Sequence, residues 1–180
     1  DVRISFNSFI PKDIKTDLGN RLVDYYLNKL ISLPKLHDKI EYEIVFSCYT
    51  FDIKSRLEAL KKENFSSDDL VQISNSLRIL TNKIIDTKNG LWRIDQKKLE
   101  KLEPRRIKIK SSNLDKPSKI YWLLEDIKRY GTLPFAGLAR AGFISVQFLK
   151  SLVSIGIFTQ YDYDKFMSSL NTVAKKLSHH

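Results

Sequence analysis

Six side chains give this sequence the means to grip a small polar molecule: Arg3, Ser5, Asn7, Tyr130, Thr132 and Arg140. The first three alternate with apolar residues, so a strand would set a guanidinium, a hydroxyl and an amide in line on one face. An ordinary solvated face is the plain alternative. Tyr130 and Thr132 stand before a long apolar helix, in a stretch bracketed by Gly131 and Pro134. The start of a helix offers free backbone N–H groups and a positive dipole end, which suit a carboxylate or phosphate. A capped core helix explains the same residues without a ligand. Arg140 lies on the polar stripe of that helix with Gln147, Lys150 and Ser154.

Complete catalytic sets are missing. Glu41 and Glu43 are two carboxylates on one strand face, better read as a solvated edge than as acid–base machinery. His37 has no nucleophile beside it in sequence, and neither glycine-rich phosphate loops nor a G-x-S-x-G elbow occur. With Cys48 and the histidines at 37, 179 and 180 as the only soft ligands, no metal site is expected.

The elements that must position these residues follow from periodicity. Alternation predicts strands near 2–10 and 42–50, with Tyr42, Ile44, Phe46 and Cys48 inward. The second strand would join the first by a parallel crossover or a longer antiparallel connection. A third, edge strand at 105–110 has its isoleucines flanked by protecting lysines and arginines. Helical spacing marks 16–32 through Leu22, Val23, Tyr26, Leu27 and Leu30. It marks a second helix behind a Ser66/Asp69 capping box through Leu70, Ile73, Leu77, Leu80 and Ile84. Ile120, Leu123, Leu124 and Ile127 give a short helix. The stretch 130–155 is apolar on two faces and so reads as the buried central helix, ended by Gly156. Tyr163, Phe166, Met167, Leu170, Val173 and Leu177 give the last helix, with Asp162 or Asp164 as its cap. The expected fold is α+β, predominantly α-helical with a small sheet. Residues 1–178 form one domain, with a lobe break near 111–117.

Composition bounds the partners. The 180 residues carry 42% hydrophobic and 29% charged side chains, which is a globular balance. No uninterrupted apolar run reaches the length that spans a bilayer, and no signal segment opens the chain. A membrane partner is therefore not expected. A single cysteine fits a reducing compartment. The net charge of +10 is spread over nearly every segment, so a nucleic-acid-binding module is the rival reading rather than the first. An opening on Asp1-Val2-Arg3 reads as a piece of a longer protein, and His179-His180 as a tag remnant.

Several segments together resemble a known family. They are DVRISFNSFIP, LVDYYLNKL, LHDKIEYEIVFSCYTFD, LTNKII, LLEDIKRYGTLPFAGLARAGFISVQFLKSLV and LNTVAKKL. They are similar to the central region of phosphoenolpyruvate synthase and pyruvate phosphate dikinase-like enzymes encoded among bacterial capsule genes. The likeness is greatest to members that phosphorylate L-glutamine on its amide nitrogen for capsule phosphoramidate. It implies a cytoplasmic enzyme that turns ATP, L-glutamine and water into AMP, phosphate and phosphorylated glutamine. ATP and Mg2+ would bind an ATP-grasp domain, and a swivelling phosphohistidine domain would relay the phosphoryl group. Both lie outside these residues, and His37 in LHDK does not match the relay motif.

What remains for this region is the acceptor. On the resemblance, Arg3, Ser5 and Asn7 form one wall of its site, and Tyr130, Thr132 and Arg140 the other. Arg140 is the clamp for carboxylate or phosphoryl oxygens, since a planar fork suits both. Glu43 is the weaker candidate for the ammonium. A structural ion pair of Arg140 is the competing account, and a scaffold that binds no small molecule is the third reading of the whole.

Overall fold

The computed structural model describes residues 2–170, and among them every regular element is helical. The order is α1 (Val2–Asn7), α2 (Thr16–Ser32), α3 (Ile53–Leu57), α4 (Ser67–Ile85), α5 (Leu91–Leu99), α6 (Leu102–Ser111), α7 (Lys116–Asp126), α8 (Leu133–Ser154) and α9 (Gln160–Ser169). Short 3-10 turns occur at Pro34–Leu36 and Glu58–Glu63, and π-helical turns at Ile40–Ile44 and Ile127–Thr132.

The main core is built around α2 and α4. Leu22, Val23 and Tyr26 of α2 meet Ile53 and Leu57 of α3, and Ile73 and Leu77 of α4. The 16–32 helix and the 3-4-3-4 seam of α4 thus bury the residues that their spacing marks. The capping box is formed: Ser66 N donates to Asp69 Oδ2 at 2.9 Å, and Asp69 N donates to Ser66 Oγ at 3.1 Å. Arg21 of α2 locks the same cap by donating to Asp69 Oδ2 at 3.0 Å. A second cluster of Cys48, Ile84 and Ile144 joins α4 to α8.

The expected small sheet is not formed, and each of its strands has a specific replacement. Residues 2–10 begin as helix α1. The period-two pattern there shares positions with a helical one, and Phe6, Phe9 and Ile10 pack on the core while Val2 and Ile4 stay exposed. Residues 105–110 lie in α6, whose third residue is Pro104. A proline in the first turn costs nothing, because its missing N–H would have no partner there.

The 42–50 stretch is the most instructive. It starts in the Ile40–Ile44 π turn, is extended at Val45 and continues as irregular chain without a strand beside it. Ile44, Val45, Phe46, Cys48 and Thr50 are buried, so the chain is covered on more than one side. Its backbone donors are met by hydroxyls from three helices. Phe46 N donates to Tyr26 Oη at 3.2 Å, Tyr49 N to Thr81 Oγ1 at 2.8 Å and Phe51 N to Ser151 Oγ at 3.3 Å. Buried N–H groups must be paired. Here side chains of α2, α4 and α8 take the place of a neighbouring strand.

The stretch at 130–155 is also corrected. It has no free helix start, because α7, the π turn and α8 run on as one 39-residue helix, Lys116–Ser154. By length and composition that run just passes the threshold for crossing a membrane, and only 17% of its most apolar window is buried in the protein; one such helix is weak evidence for a span. Nor is α8 the central helix. It turns Pro134, Ile144, Gln147 and Ser151 inward but leaves Leu133 and Phe135 two-thirds exposed. Its closest neighbour is α5, where Gly137 makes room for a carboxylate: a Cβ there would lie 2.0 Å from Asp95 Oδ2, so the Asp95 side chain would have to move aside. Gly156, with φ +77°, ends the run as its position suggests. The cap of α9 is Thr159, whose hydroxyl accepts from Asp162 N at 3.1 Å; Asp162 is the reciprocal partner rather than the cap. Val173, Leu177, His179 and His180 lie outside the described residues.

Residues 112–115 form the turn between α6 and α7. Arg105 of α6 reaches the buried Asp126 with both branches of its fork, Nε to Oδ2 at 2.9 Å and Nη2 to Oδ1 at 2.8 Å. Its guanidinium also lies 4.6 Å from the centre of the Tyr130 ring.

Candidate functional site

Arg140 opens into a pocket of about 250 Å3 where α8 meets the end of α1 and the Ile40–Ile44 turn. Ser8 and Phe9 come from the chain just after α1, Glu41 and Ser47 from the turn and thread, and Phe143 from α8. Helical spacing sets Arg140 and Phe143 three residues apart and so on one face. The π turn aims Glu41 into this pocket and exposes Glu43 on the other side. In a strand the two carboxylates would share a face; the wider turn separates them.

Arg140 and Glu41 are both half-buried, and neither side chain makes a hydrogen bond or ion pair with another described residue. Burial pushes the Glu41 carboxyl above its ordinary value, against the pull of the Arg140 charge. The pocket therefore holds an opposite pair with donors and acceptors unspent. Two hydroxyls stand beside them: Ser47 Oγ donates to Glu41 O at 3.1 Å, and Ser8 Oγ donates to Ser5 O at 2.6 Å. Each keeps lone pairs to accept from a guest. Cys48, next to Ser47, is buried, and burial raises its thiol pKa, so it serves packing rather than nucleophilic chemistry.

Of the six residues named from sequence, the structure brings only Arg140 to this pocket. Arg3 pairs with Asp24 of α2. Ser5 and Asn7 sit exposed on α1, and their carbonyls cap its end by accepting from Ser8 N and Ile10 N. Tyr130 lies under Arg105, and Thr132 is exposed in the π turn. The helix entrance expected around these two is absent, since the helix passes through it. Glu43, the proposed ammonium partner, is exposed, and its carbonyl accepts from Lys29 Nζ. Sequence reasoning missed Glu41, Ser8, Ser47, Phe9 and Phe143. The available signal was the Glu41/Glu43 pair, which became legible only once the turn replaced the strand.

Among the described residues no three His, Cys, Asp or Glu side chains converge, so a divalent ion has no such cluster to bind. His37 is exposed beside the Pro34–Leu36 turn, with Nδ1 3.2 Å from Pro34 O. Comparison of the chain with protein-family models, curated proteins and solved structures finds no match.

Proposed function

We propose that this chain is the acceptor-holding domain of an ATP-dependent phosphotransferase, with L-glutamine kinase as the activity of the whole enzyme. The observation that carries the reading is the facing pair of Arg140 and Glu41, whose side chains make no hydrogen bond or ion pair with another described residue, in one small pocket. An α-amino acid is a zwitterion whose carboxylate and ammonium need opposite partners close together. Arg140 offers a planar fork to the carboxylate, and Glu41 an anion to the ammonium. The hydroxyls of Ser8 and Ser47 suit a side-chain amide, and Phe9 and Phe143 suit its methylenes. The sequence resemblance supplies the choice of glutamine and of phosphoryl transfer.

In this reading the chain binds and orients; it holds no nucleophile or relay of its own. ATP with Mg2+, bound in an ATP-grasp domain elsewhere, supplies the phosphoryl group, which a phosphohistidine domain carries to the glutamine amide nitrogen. Exposed apolar side chains on α7 and α8, among them Trp122, Leu124, Leu133 and Phe135, fit a domain that packs against others.

Calorimetric titration of the chain tests the proposal. L-Glutamine should bind, and analogues lacking either the α-carboxylate or the α-ammonium should not. Arg140→Gln and Glu41→Gln should each weaken binding by about tenfold or more, the value of one charge-assisted hydrogen bond. Equal affinity for all three compounds, or parental affinity for L-glutamine in both variants, would refute the assignment.

A further inference from the structure

Tyr42 separates the Arg140 pocket from a larger cleft of about 420 Å3. Its ring packs edge-on against Phe143 on one side, 5.1 Å between centroids, and lies under Lys150 on the other. The second cleft gathers three cations from distant parts of the sequence: Lys29 of α2, Arg56 of α3 and Lys150 of α8. None forms an ion pair with a described carboxylate. Each lies instead against a ring: Lys29 at 6.0 Å from the Tyr25 centroid, Arg56 at 5.6 Å from Phe46, and Lys150 at 5.4 Å from Tyr42.

The remaining polar contacts leave most donors unspent. Lys29 donates to the Glu43 carbonyl, and Arg56 Nη1 donates to Thr50 Oγ1 at 3.2 Å. Two carboxylates also line the cleft, Glu43 and Asp52. Asp52 accepts the Thr50 hydroxyl at 2.6 Å, and Glu43 is exposed to solvent. Burial lowers the Lys29 pKa first, and the charge of Arg56 lowers it further, with Glu43 pulling the other way. Like charges set around one half-buried space repel, and a multivalent anion between them removes the repulsion.

We propose that this cleft binds the phosphoryl group of a small phosphorylated anion, held among Arg56, Lys150 and Lys29. Arg supplies the fork that matches phosphate oxygens, and the two lysines add point charge. The aromatic walls of Tyr25 and Tyr42 leave room for an organic substituent. A cleft of this volume takes a small molecule and encloses no polymer. The site shares no charged residue with the Arg140 pocket, so it stands or falls apart from the glutamine assignment.

The test is titration of the chain with inorganic pyrophosphate and with a phosphate monoester such as glycerol phosphate, at about 0.15 M salt. Saturable binding is expected, about tenfold or more weaker in Arg56→Gln and in Lys150→Met, and unchanged in Arg140→Gln. Preference for one probe over the other supports the site and separates an inorganic anion from an organic phosphate. Lys150 is exposed and touches only the Tyr42 ring by charge, so its variant keeps the test decisive if Arg56→Gln fails to fold. No binding by the parent chain, or equal binding by parent and Lys150→Met, would overturn the proposal. So would an oligonucleotide that binds far more tightly than pyrophosphate and is lost in the same variants.

Discussion

Replacing Thr81 by valine isolates the feature on which both clefts depend, the extended thread held by hydroxyls instead of a strand. Thr81 is 1% exposed, and its Oγ1 accepts from Tyr49 N at 2.8 Å. Valine keeps the branched shape and removes the acceptor, leaving the Tyr49 N–H inside the protein without a partner. Such a loss costs about 1–3 kcal/mol, against a total stability on the order of 5–15 kcal/mol. For a chain of this size each kcal/mol moves the melting midpoint by about 2–4 °C. A mid-range cost of about 2 kcal/mol therefore lowers Tm by about 4–8 °C. Thermal and urea unfolding read the stability, and hydrogen exchange at the Tyr49 amide reads the bond itself. Thr81→Ser is the control: it keeps the hydroxyl and should keep the amide protected, with only the smaller loss of a buried methyl. A valine variant with parental stability and parental protection at Tyr49 would refute the argument that side-chain hydroxyls hold the thread.

Three further outcomes are expected. Asp86 accepts from Lys88 N at 2.7 Å and Asn89 N at 2.6 Å, and the Asn89 and Lys88 donors lower its pKa. Its stabilisation is thus present above the ordinary aspartate value and lost as pH falls through the lowered one. Urea midpoints of parent and Asp86→Asn should differ near neutrality and converge below about pH 4; a constant gap would count against it. The Glu41 carboxyl is raised by burial, so glutamine binding should begin to weaken on acidification above the ordinary carboxylate range. Calorimetry at falling pH checks this, with a flat profile expected for Glu41→Gln and a flat parental profile counting against the role. Arg105→Lys cannot reproduce the two-point grip on Asp126. It should lower the thermal midpoint, and a parental midpoint would show that the fork does not fasten α6.

How much the sequence discloses depends on which residues share a period. The seam of α4 is legible because Leu70, Ile73, Leu77 and Ile84 fit one helical stripe, and the Ser66/Asp69 box fixes its start. The first ten residues mislead because Val2 and Phe6 satisfy both the strand period and the helical i, i+4 step. Only the packing of Phe6, Phe9 and Ile10 decides between them. In α8 two apolar faces suggest burial, yet Leu133 and Phe135 remain largely exposed, since composition states what a face prefers and not whether a partner is present. Five of the six candidate site residues depend on a strand wall or a helix entrance, and neither is formed. Arg140 alone lines the pocket because its helical stripe needed neither.

The thread explains why two clefts of different charge lie so close together. One five-residue turn, Ile40–Ile44, sends Glu41 toward Arg140 and Glu43 toward the lysines, with Tyr42 as the partition. Gln147 of α8 donates to the Tyr42 carbonyl at 3.4 Å and is itself 6% exposed, so α8 fixes the partition from below while lending Arg140 to one cleft and Lys150 to the other. A β-ladder would have tied this segment to a neighbouring strand and kept Glu41 and Glu43 on one face. Hydroxyl partners on three separate helices allow the backbone to change direction within a few residues. The spacing of Arg140, Phe143, Gln147 and Lys150, in three- and four-residue steps, then carries α8 along both clefts. Loss of the Thr81 bond should therefore loosen the facing Arg140 and Glu41 side chains and the cation cluster together, whereas substitutions at Arg140 or Lys150 should each affect one cleft alone.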